Sequence, residues 1–438
     1  MTAFGVTPDR STLVAPTGCF LGIDFGTSGA RAVAIDAESE ICAQASCSFA
    51  DSADWVATWR EALFDLLGQL PQRQRSQVRA IALNGTSSTA LLCDESGNSL
   101  TEPLLYSDDR AAPELERLRE LLEQPEYANV PSREIVLSAT SSLGKLLWWQ
   151  RQAISRARYF LHQADWLGFL LHGQLGLSDY HNSLKLGYDV RRLCYPEWMQ
   201  PLGVLPLLPK VLAPGTPIAP VTPEISARFG LLTDCQVCAG TTDSIAAFLA
   251  SGASAPGEAV TSLGSTLVLK LLSQTPVDNG HHGIYSHRLG DRWLVGGASN
   301  TGGAVLAQFF SPAELERWSA EIPVHCESPW RYYPLTKPGE RFPTNDPQLP
   351  PQLEPRPSNP VTFLHGLLES MARIEARGYQ LLQELGATPL KQVHTAGGGA
   401  MNDAWTKIRA RHLGVPVGRS THTEAAYGTA QLARASYC

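Results

Sequence analysis

Four glycine-bearing turns, each directly after an apolar run that predicts a strand, are the part of the sequence best suited to chemistry. They are Asp24-Phe25-Gly26-Thr27, Gly240-Thr241-Thr242-Asp243, Gly264-Ser265-Thr266 and Gly397-Gly398-Gly399. Glycine lets backbone N–H groups approach an anion closely, and neighbouring hydroxyls add further donors. A single turn of this kind is usually only a turn, but several turns facing one cleft would form a site for a polyphosphate.

Several common nucleotide and hydrolase motifs are missing. The sequence has no G-x-x-x-x-G-K-[ST], no G-x-G-x-x-G after the first predicted strand, no H-E-x-x-H and no G-x-S-x-G. Their absence disfavours P-loop and dinucleotide-binding folds, metalloproteases and α/β-hydrolases. A polyphosphate site would therefore have to be built by the four turns themselves.

The first turn resembles the D-x-G-T-x-x-x-R phosphate turn of the FGGY carbohydrate kinases, which belong to the actin-like ATPase superfamily; it reads Asp24-Phe25-Gly26-Thr27-Ser28-Gly29-Ala30-Arg31. Further matches follow in family order: 106–110 is similar to the W-x-D-x-R sugar segment with Tyr106 in place of Trp, 240–243 to the loop of the catalytic aspartate, 264–266 to the second phosphate turn, 396–402 to the adenosine motif and 424–430 to the closing helix. The resemblance spans residues 19–435. It implies an α/β protein with two actin-like (ribonuclease H-like) domains flanking an ATP/sugar cleft.

The resemblance implies an ATP- and Mg²⁺-dependent sugar kinase. A sugar hydroxyl is a poor nucleophile, so a carboxylate must take its proton as it attacks the γ-phosphoryl group, and Asp243 is the candidate. Its alternative role is to cap the helix that starts near Ser244. Asp24 is assigned to the metal, directly or through water.

The nucleotide residues are also implied by the resemblance. The ATP-binding positions are Gly26, Thr27, Gly264, Ser265, Thr266, Gly397, Gly398, Asn402 and Trp405. Asn402 and Trp405 are expected beside the adenine, although Trp405 could equally belong to the core, because ring stacking and burial look alike in a sequence.

The expected sugar contacts are Asp24, Ser28, Gly29, Ser88 and Asp243. Xylulokinases and glycerol kinases of the family carry a G-Q-M-H-G or G-x-x-x-Q-R type of segment where this chain has residues 84–89, and 179–189 is more similar to the ribulose-kinase branch of cyanobacteria and plants. The first expectation is therefore phosphorylation of D-ribulose to D-ribulose 5-phosphate. The alternatives are a xylulokinase or other polyol kinase, a non-catalytic actin-like ATPase and a sugar-binding regulator.

Alternating strand and helix patterns must position these residues. Cys19–Asp24 and Ala30–Ile35 predict a strand and its return strand, residues 55–70 a helix and 78–83 a buried strand. The strand and turn recur at 261–272, which favours a duplicated α/β unit. Residues 111–175 have mostly helical patterns. The ten prolines of 327–360 predict a long surface excursion.

The expected domain organisation follows these patterns. Residues 1–18 are a flexible leader, 19–250 the N-terminal kinase domain on the sugar and phosphate side, and 251–423 the C-terminal domain on the nucleotide side. The remaining residues, 424–438, are a closing helix that packs back on the N-terminal domain. A chain of 438 residues suits two domains.

Composition restricts the partners. The net charge is −7, and no run of Lys and Arg could neutralise a row of nucleic-acid phosphates. No stretch approaches the 18 apolar residues of a membrane span, and the nine scattered cysteines do not form a disulfide pattern. A cytoplasmic monomer or homodimer with no nucleic-acid or membrane partner is expected.

Overall fold

The computed structural model describes residues 18–50, 52–127 and 133–437. The leader expected at 1–18 lies outside the described residues, apart from Gly18. The first half of the described chain forms one large mixed sheet, and the second half forms another.

The first half contains the following elements. Its strands are β1 (Cys19–Phe25), β2 (Gly29–Ile35), β3 (Ile41–Ser48), β4 (Val78–Gly85), β5 (Ala90–Cys93), β6 (Tyr159–His162), β7 (Leu177–Asp179), β8 (Lys210–Leu212), β9 (Pro217–Pro220), β10 (Gln236–Cys238) and β11 (Thr241–Thr242). Its α-helices are α1 (Trp55–Gln69), α2 (Gln72–Arg75), α3 (Leu115–Leu122), α4 (Arg133–Val136), α5 (Ser142–Arg151), α6 (Gln163–His172), α7 (Tyr180–Ser183), α8 (Pro223–Phe229) and α9 (Asp243–Ala250). Short 3₁₀ turns cover Ala112–Glu114, Pro125–Tyr127, Leu184–Leu186, Glu197–Leu202 and Leu205–Leu207.

The second half is simpler. Its strands are β12 (Glu258–Leu263), β13 (Leu267–Ser273), β14 (Tyr285–Leu289), β15 (Arg292–Ser299), β16 (Gln392–Ala396) and β17 (Val417–Arg419). Its α-helices are α10 (Gly303–Leu306), α11 (Pro312–Ala320), α12 (Pro360–Glu384), α13 (Asp403–Leu413) and α14 (Ala425–Ala435), with 3₁₀ turns at Gly280–His282 and Gly398–Met401.

The two sheets share one plan. The first has the order β3-β2-β1-β4-β10-β9 with β11 beside β4, and the second has the order β14-β15-β13-β12-β16-β17. In each, an antiparallel hairpin (β1-β2 or β12-β13) is followed by a parallel neighbour of its first strand (β4 or β16). The predicted α/β fold with two domains is confirmed.

Strand β1 is apolar along its length because both faces of the first sheet are covered. Leu21 and Ile23 are fully buried in one cluster with Leu63 and Leu66 of α1. Phe20 faces the other side and packs against α14, in a cluster that includes Ala430. The carboxyl end of β1 is therefore held in place by packing on both faces of the sheet.

Helix α14 lies against the first sheet although it follows the second in sequence. A methyl group on Gly22 would lie 2.1 Å from the carbonyl oxygen of Ala426, and one on Gly428 would lie 1.9 Å from the carbonyl oxygen of Ala246. Only glycine permits such backbone contact. The Asn84 amide also donates to the Thr429 hydroxyl at 2.6 Å, so α14 holds β1, β4 and α9 together.

Residues 111–175 are mostly helical, as predicted, with the short strand β6 among the helices. One sequence expectation needs correction. The segment 327–360 is not only a surface excursion, because Tyr332 and Phe342 are buried in the core of the second half. The Phe342 ring fills the space left by Gly297 and Gly378, where an added methyl would lie 2.4 and 2.7 Å from ring atoms. Within the described ranges, no helix combines the length and apolarity needed to cross a membrane.

Candidate functional site

The carboxyl ends of three parallel strands, β1, β4 and β11, bring the main candidates to one sheet edge. Phe25 of β1 pairs with Gly85 of β4, which pairs with Thr242 of β11. The chain leaves these strands into the first glycine turn, into the loop 86–89 and into Asp243 respectively. Ligands of α/β proteins bind at such strand ends.

A cavity of about 490 Å³ lies at this edge and contains both acidic candidates. It is lined by Asp24, Gly26, Thr27, Ser28, Gly29, Ala30, Arg31, Ser46, Cys47, Ser48, Asp243, Ser244, Ala247 and Ala425. The turn is closed by a bond from the Gly26 N–H to the Gly29 carbonyl at 3.0 Å. Thr27 and Ser28 are exposed, so their hydroxyls can meet a ligand.

The two carboxylates have different surroundings. Burial, and then the nearby Asp243, raises the pKa of Asp24 to about 7, and Arg31 opposes this shift. Burial also raises the pKa of Asp243, against hydrogen bonding from the Ser244 N–H and the charges of Lys270 and Lys185. The Asp243 Oδ1 accepts the Ser244 N–H at 2.6 Å. Asp243 is the first residue of α9, where the helix dipole stabilises a negative charge.

The cavity suits a metal that arrives with phosphates. The described residues contain no cluster of three or more metal-ligating side chains. The Asp24 Oδ1, however, is buried without a hydrogen-bond partner in the described structure. Mg²⁺ keeps several waters and is usually held by one or two carboxylates plus substrate phosphates, and Asp24 can supply one such carboxylate.

A second cavity, of about 860 Å³, lies in the second half of the chain and contains most of the predicted nucleotide residues. Its lining includes Gly264, Ser265, Gly398, Asn402 and Trp405. A methyl group on Gly398 would meet no atom within 4 Å, which leaves its backbone open to a ligand. Thr266 and Gly397 are absent from the lining.

Gly397 packs against the backbone of Leu263, a residue that lines the second cavity. Its φ is +82° and an added methyl would lie 2.7 Å from the Leu263 carbonyl oxygen. The turn at 264–266 is held by the loop after β15, because the Gly303 and Ala304 N–H groups donate to the carbonyls of Gly264 and Ser265 at 2.9 and 3.1 Å. Gly303 and Ala304 line the cavity. The sequence analysis did not include them, although the glycine pair Gly302-Gly303 after a strand could have indicated them.

Asn402 and Trp405 have structural contacts in the wall of this cavity. The Asn402 Oδ1 accepts the Trp405 N–H at 2.9 Å and caps α13, while its amide donates to Ser319 at 2.8 Å. Trp405 is 2 % exposed, and its ring packs beneath Gly399. This burial favours the packing role of Trp405 over stacking on a base.

Ser88 lines neither cavity, although it lies at the same sheet edge. It is 1 % exposed and has a φ of +67°, a backbone conformation that residues other than glycine rarely adopt. Its hydroxyl has no hydrogen-bond partner within the described chain. A buried, unpaired hydroxyl in a strained loop is typical of a functional position.

Sequence reasoning missed two lysines at this site. Lys270 of β13 reaches across from the second sheet and donates to the Ser244 carbonyl, next to Asp243. Lys145 of α5 donates to the Ser88 carbonyl. A lysine inside the apolar strand Leu267–Ser273 was the only signal for the first.

Comparison with known proteins identifies relatives over nearly the whole chain. The FGGY family of carbohydrate kinases, N-terminal domain, matches residues 19–250, and its C-terminal domain matches 259–437. Xylulose kinase of Bacillus subtilis is 24% identical over 89% of this chain and 82% of its own length. L-fuculokinase of Escherichia coli is 23% identical over 91% and 88%. The crystal structure of xylulose kinase from Rhodospirillum rubrum superposes with a TM-score of 0.82 at 21% identity, covering 96% of this chain and 90% of that one.

Proposed function

Because the chain belongs to the FGGY family of carbohydrate kinases, we propose that it transfers the γ-phosphoryl group of ATP to a hydroxyl of a ketopentose, with Asp243 as the general base. The observation that carries the proposal is the shared cavity of Asp24, Asp243 and the first glycine turn. A base, a metal-positioning carboxylate and phosphate donors are the groups that phosphoryl transfer needs.

Both halves of the chain would contact ATP. The second cavity accommodates the nucleoside, and the turns at Gly264 and Gly398 donate to the phosphates. Gly26, Thr27 and Asp24 meet the γ-phosphoryl group and the Mg²⁺ that accompanies it. Asp243 takes the proton of the sugar hydroxyl as that hydroxyl attacks. The cytoplasmic location of the protein remains a prediction.

Xylulose is the first candidate substrate, because xylulose kinases recur among the relatives. This preference replaces the D-ribulose expected from the sequence. D-Ribulose stays the second candidate for one reason: the loop 84–89 lacks the G-Q-M-H-G segment and instead presents the buried, unpaired hydroxyl of Ser88. Ser28 and Gly29, beside the two carboxylates, are further proposed sugar contacts.

The first experiment is a sugar panel with ATP and Mg²⁺. We expect D-xylulose or D-ribulose to give the highest kcat/KM for ADP release, above L-ribulose, glycerol, gluconate and L-fuculose. A clear preference for one of these last four would overturn the ketopentose assignment. ADP release that no sugar stimulates would instead favour an actin-like ATPase that does not phosphorylate sugars.

The second experiment tests the base. Asp243→Asn should lower kcat by about 10²–10⁴-fold, because a positioned general base contributes that much. ADP affinity, measured by calorimetry, should change less than threefold, since the nucleoside cavity lies in the other half of the chain. A variant that kept most of its sugar phosphorylation would remove Asp243 from the mechanism.

A further inference from the structure

Lys145 is completely buried, and its amine joins two separate segments of the chain. It lies in α5, whose N-terminus is capped by the Ser141 hydroxyl, and has 0% exposure. The Nζ donates to the carbonyl oxygen of Ser88 at 2.8 Å and to that of Leu105 at 2.6 Å. Burying an amine is unfavourable unless its donors are satisfied, and these two bonds satisfy two of them.

The first segment is the loop after β4. The Thr86 N–H donates to the Gln163 side chain at 3.0 Å, and the Thr86 and Thr89 hydroxyls bond at 2.5 Å. These contacts anchor the two ends of the loop, and Lys145 fixes the strained residue between them, Ser88. The orientation of the unpaired Ser88 hydroxyl therefore depends on the Lys145 amine.

The second segment is 105–110, which contains the residues 106–110 that resemble the sugar segment of the family. Its Asp108 carboxylate is held by the Arg110 guanidinium at 2.6 Å, and that guanidinium lies 5.3 Å from the ring centre of Trp148. Trp148 belongs to α5, as does Lys145. One helix thus holds the beginning of this segment through Lys145 and its end through Trp148.

We propose that Lys145 is a positioning residue for the sugar: by bonding both carbonyls it fixes the Ser88 hydroxyl against the segment 105–110, and so sets sugar affinity and the discrimination between ketopentoses. This inference rests on the proposed function. It assigns Lys145 no contact with the nucleotide, since the nucleoside cavity contains no residue of α5.

The bridge does not depend on the charge of the amine. Burial lowers the pKa of Lys145 to about 7, against the nearby Asp108 carboxylate. A neutral amine still has two N–H donors, the number that Ser88 and Leu105 require. The two segments therefore stay joined on both sides of neutrality.

The test is Lys145→Met, which keeps the length of the side chain and removes its donors. We expect the KM for the preferred sugar to rise at least tenfold, the KM for ATP to change less than twofold, and the kcat/KM ratio between D-xylulose and D-ribulose to move at least threefold toward one. The matched control is Gln150→Met on the same helix, which removes a 2.9 Å bond to the Leu202 carbonyl away from both segments and should leave both KM values unchanged.

Lys145→Gln keeps two donors on a shorter side chain and should give an intermediate sugar KM. If Lys145→Met does not fold in a thermal scan, the glutamine variant decides, with at least a threefold rise in sugar KM at unchanged ATP KM expected. A folded variant with unchanged sugar KM, or with equal rises for sugar and ATP, would contradict the inference alone. A wild-type protein that phosphorylates none of the sugars would reject the proposed function. Sugar binding to wild type and to Lys145→Met, measured by calorimetry, would then decide the inference. Equal sugar affinity of the two proteins, or no binding to either, would reject the inference.

Discussion

Asp24 and Asp243 share one cavity, yet their hydrogen bonds and charged neighbours suit different roles. Asp24 has a buried oxygen without a partner and a pKa of about 7, so a metal ion or another cation beside it would favour its ionised form. Asp243 is accompanied by Lys270, Lys185 and the start of a helix, which oppose the rise in its pKa that burial causes. A base must be ionised before the sugar proton moves, and the two lysines and the start of the helix act in that direction on Asp243, against the effect of burial.

The raised pKa of Asp24 makes a prediction for stability. In the folded protein this group ionises near pH 7, and in the unfolded chain near pH 4, so the stability present below pH 4 is lost as the pH rises through 7. Asp24→Asn cannot ionise. Without nucleotide or metal, its free energy of unfolding should exceed the wild-type value by about 1–4 kcal/mol at pH 8, and the excess should shrink toward pH 4.

Urea denaturation in EDTA at pH 5 and pH 8 measures this difference, and kinase assays of the same variant should show lost activity. Glu38→Gln is the control, because Glu38 is an exposed acid on the β2-β3 turn. Its effect on unfolding should be small, because its side chain is exposed. A variant of Asp24 that is no more stable than wild type at pH 8 would show that the buried carboxylate carries no such cost.

Residue types in turns could be predicted from sequence, whereas their contacts could not. Asp24, Thr27 and Asp243 were predicted from glycine-bearing turns after predicted strands, together with the resemblance of those turns to the kinase family. Lys145 and Lys270 donate to backbone carbonyls far away in sequence. Every residue has a backbone carbonyl, so the residue type does not reveal which one accepts. The same limit applies to Trp405, whose burial depends on its fit beneath Gly399.

At the scale of elements, strand ends position the chemistry and α14 keeps those strands in place. Apolar runs predicted β1 and β4 well, because a central parallel strand must be apolar on both faces. The pattern failed for 327–360, since its ten prolines hide single anchoring side chains such as Phe342. Buried anchors without periodicity give no signal for secondary structure.

Two glycine-to-alanine substitutions in helices should have opposite effects. In α14, Gly428→Ala places a methyl 1.9 Å from the Ala246 carbonyl oxygen, so we expect a loss of at least about 2 kcal/mol in the free energy of unfolding. In α1, Gly68→Ala meets no atom within 4 Å and should add up to about 1 kcal/mol. Urea denaturation of both variants measures the contrast. Equal effects would mean that α14 does not contact α9 as closely as described.

For the whole molecule, the decisive element is α9, which carries Asp243 and lies between the two sheets. Ile245 and Phe248 of this helix share one apolar cluster with Val260, Leu272 and Leu294 of the second half. The opposite side of α9 meets α14 through Gly428. Asp243, the proposed base, is therefore placed by packing from both halves.

This arrangement predicts cooperative unfolding of the two halves. The wild-type protein should give one calorimetric transition with equal calorimetric and van't Hoff enthalpies. Phe248→Ala should cost about 3–5 kcal/mol and separate the transitions, because Phe248 is 1% exposed within the shared cluster. Phe160→Ala removes an equally buried ring whose cluster lies wholly in the first half, and it should destabilise that half without loosening α9 from the second sheet. Two transitions in the wild-type protein would show that α9 does not join the halves, and the position of Asp243 would then depend on the first sheet alone.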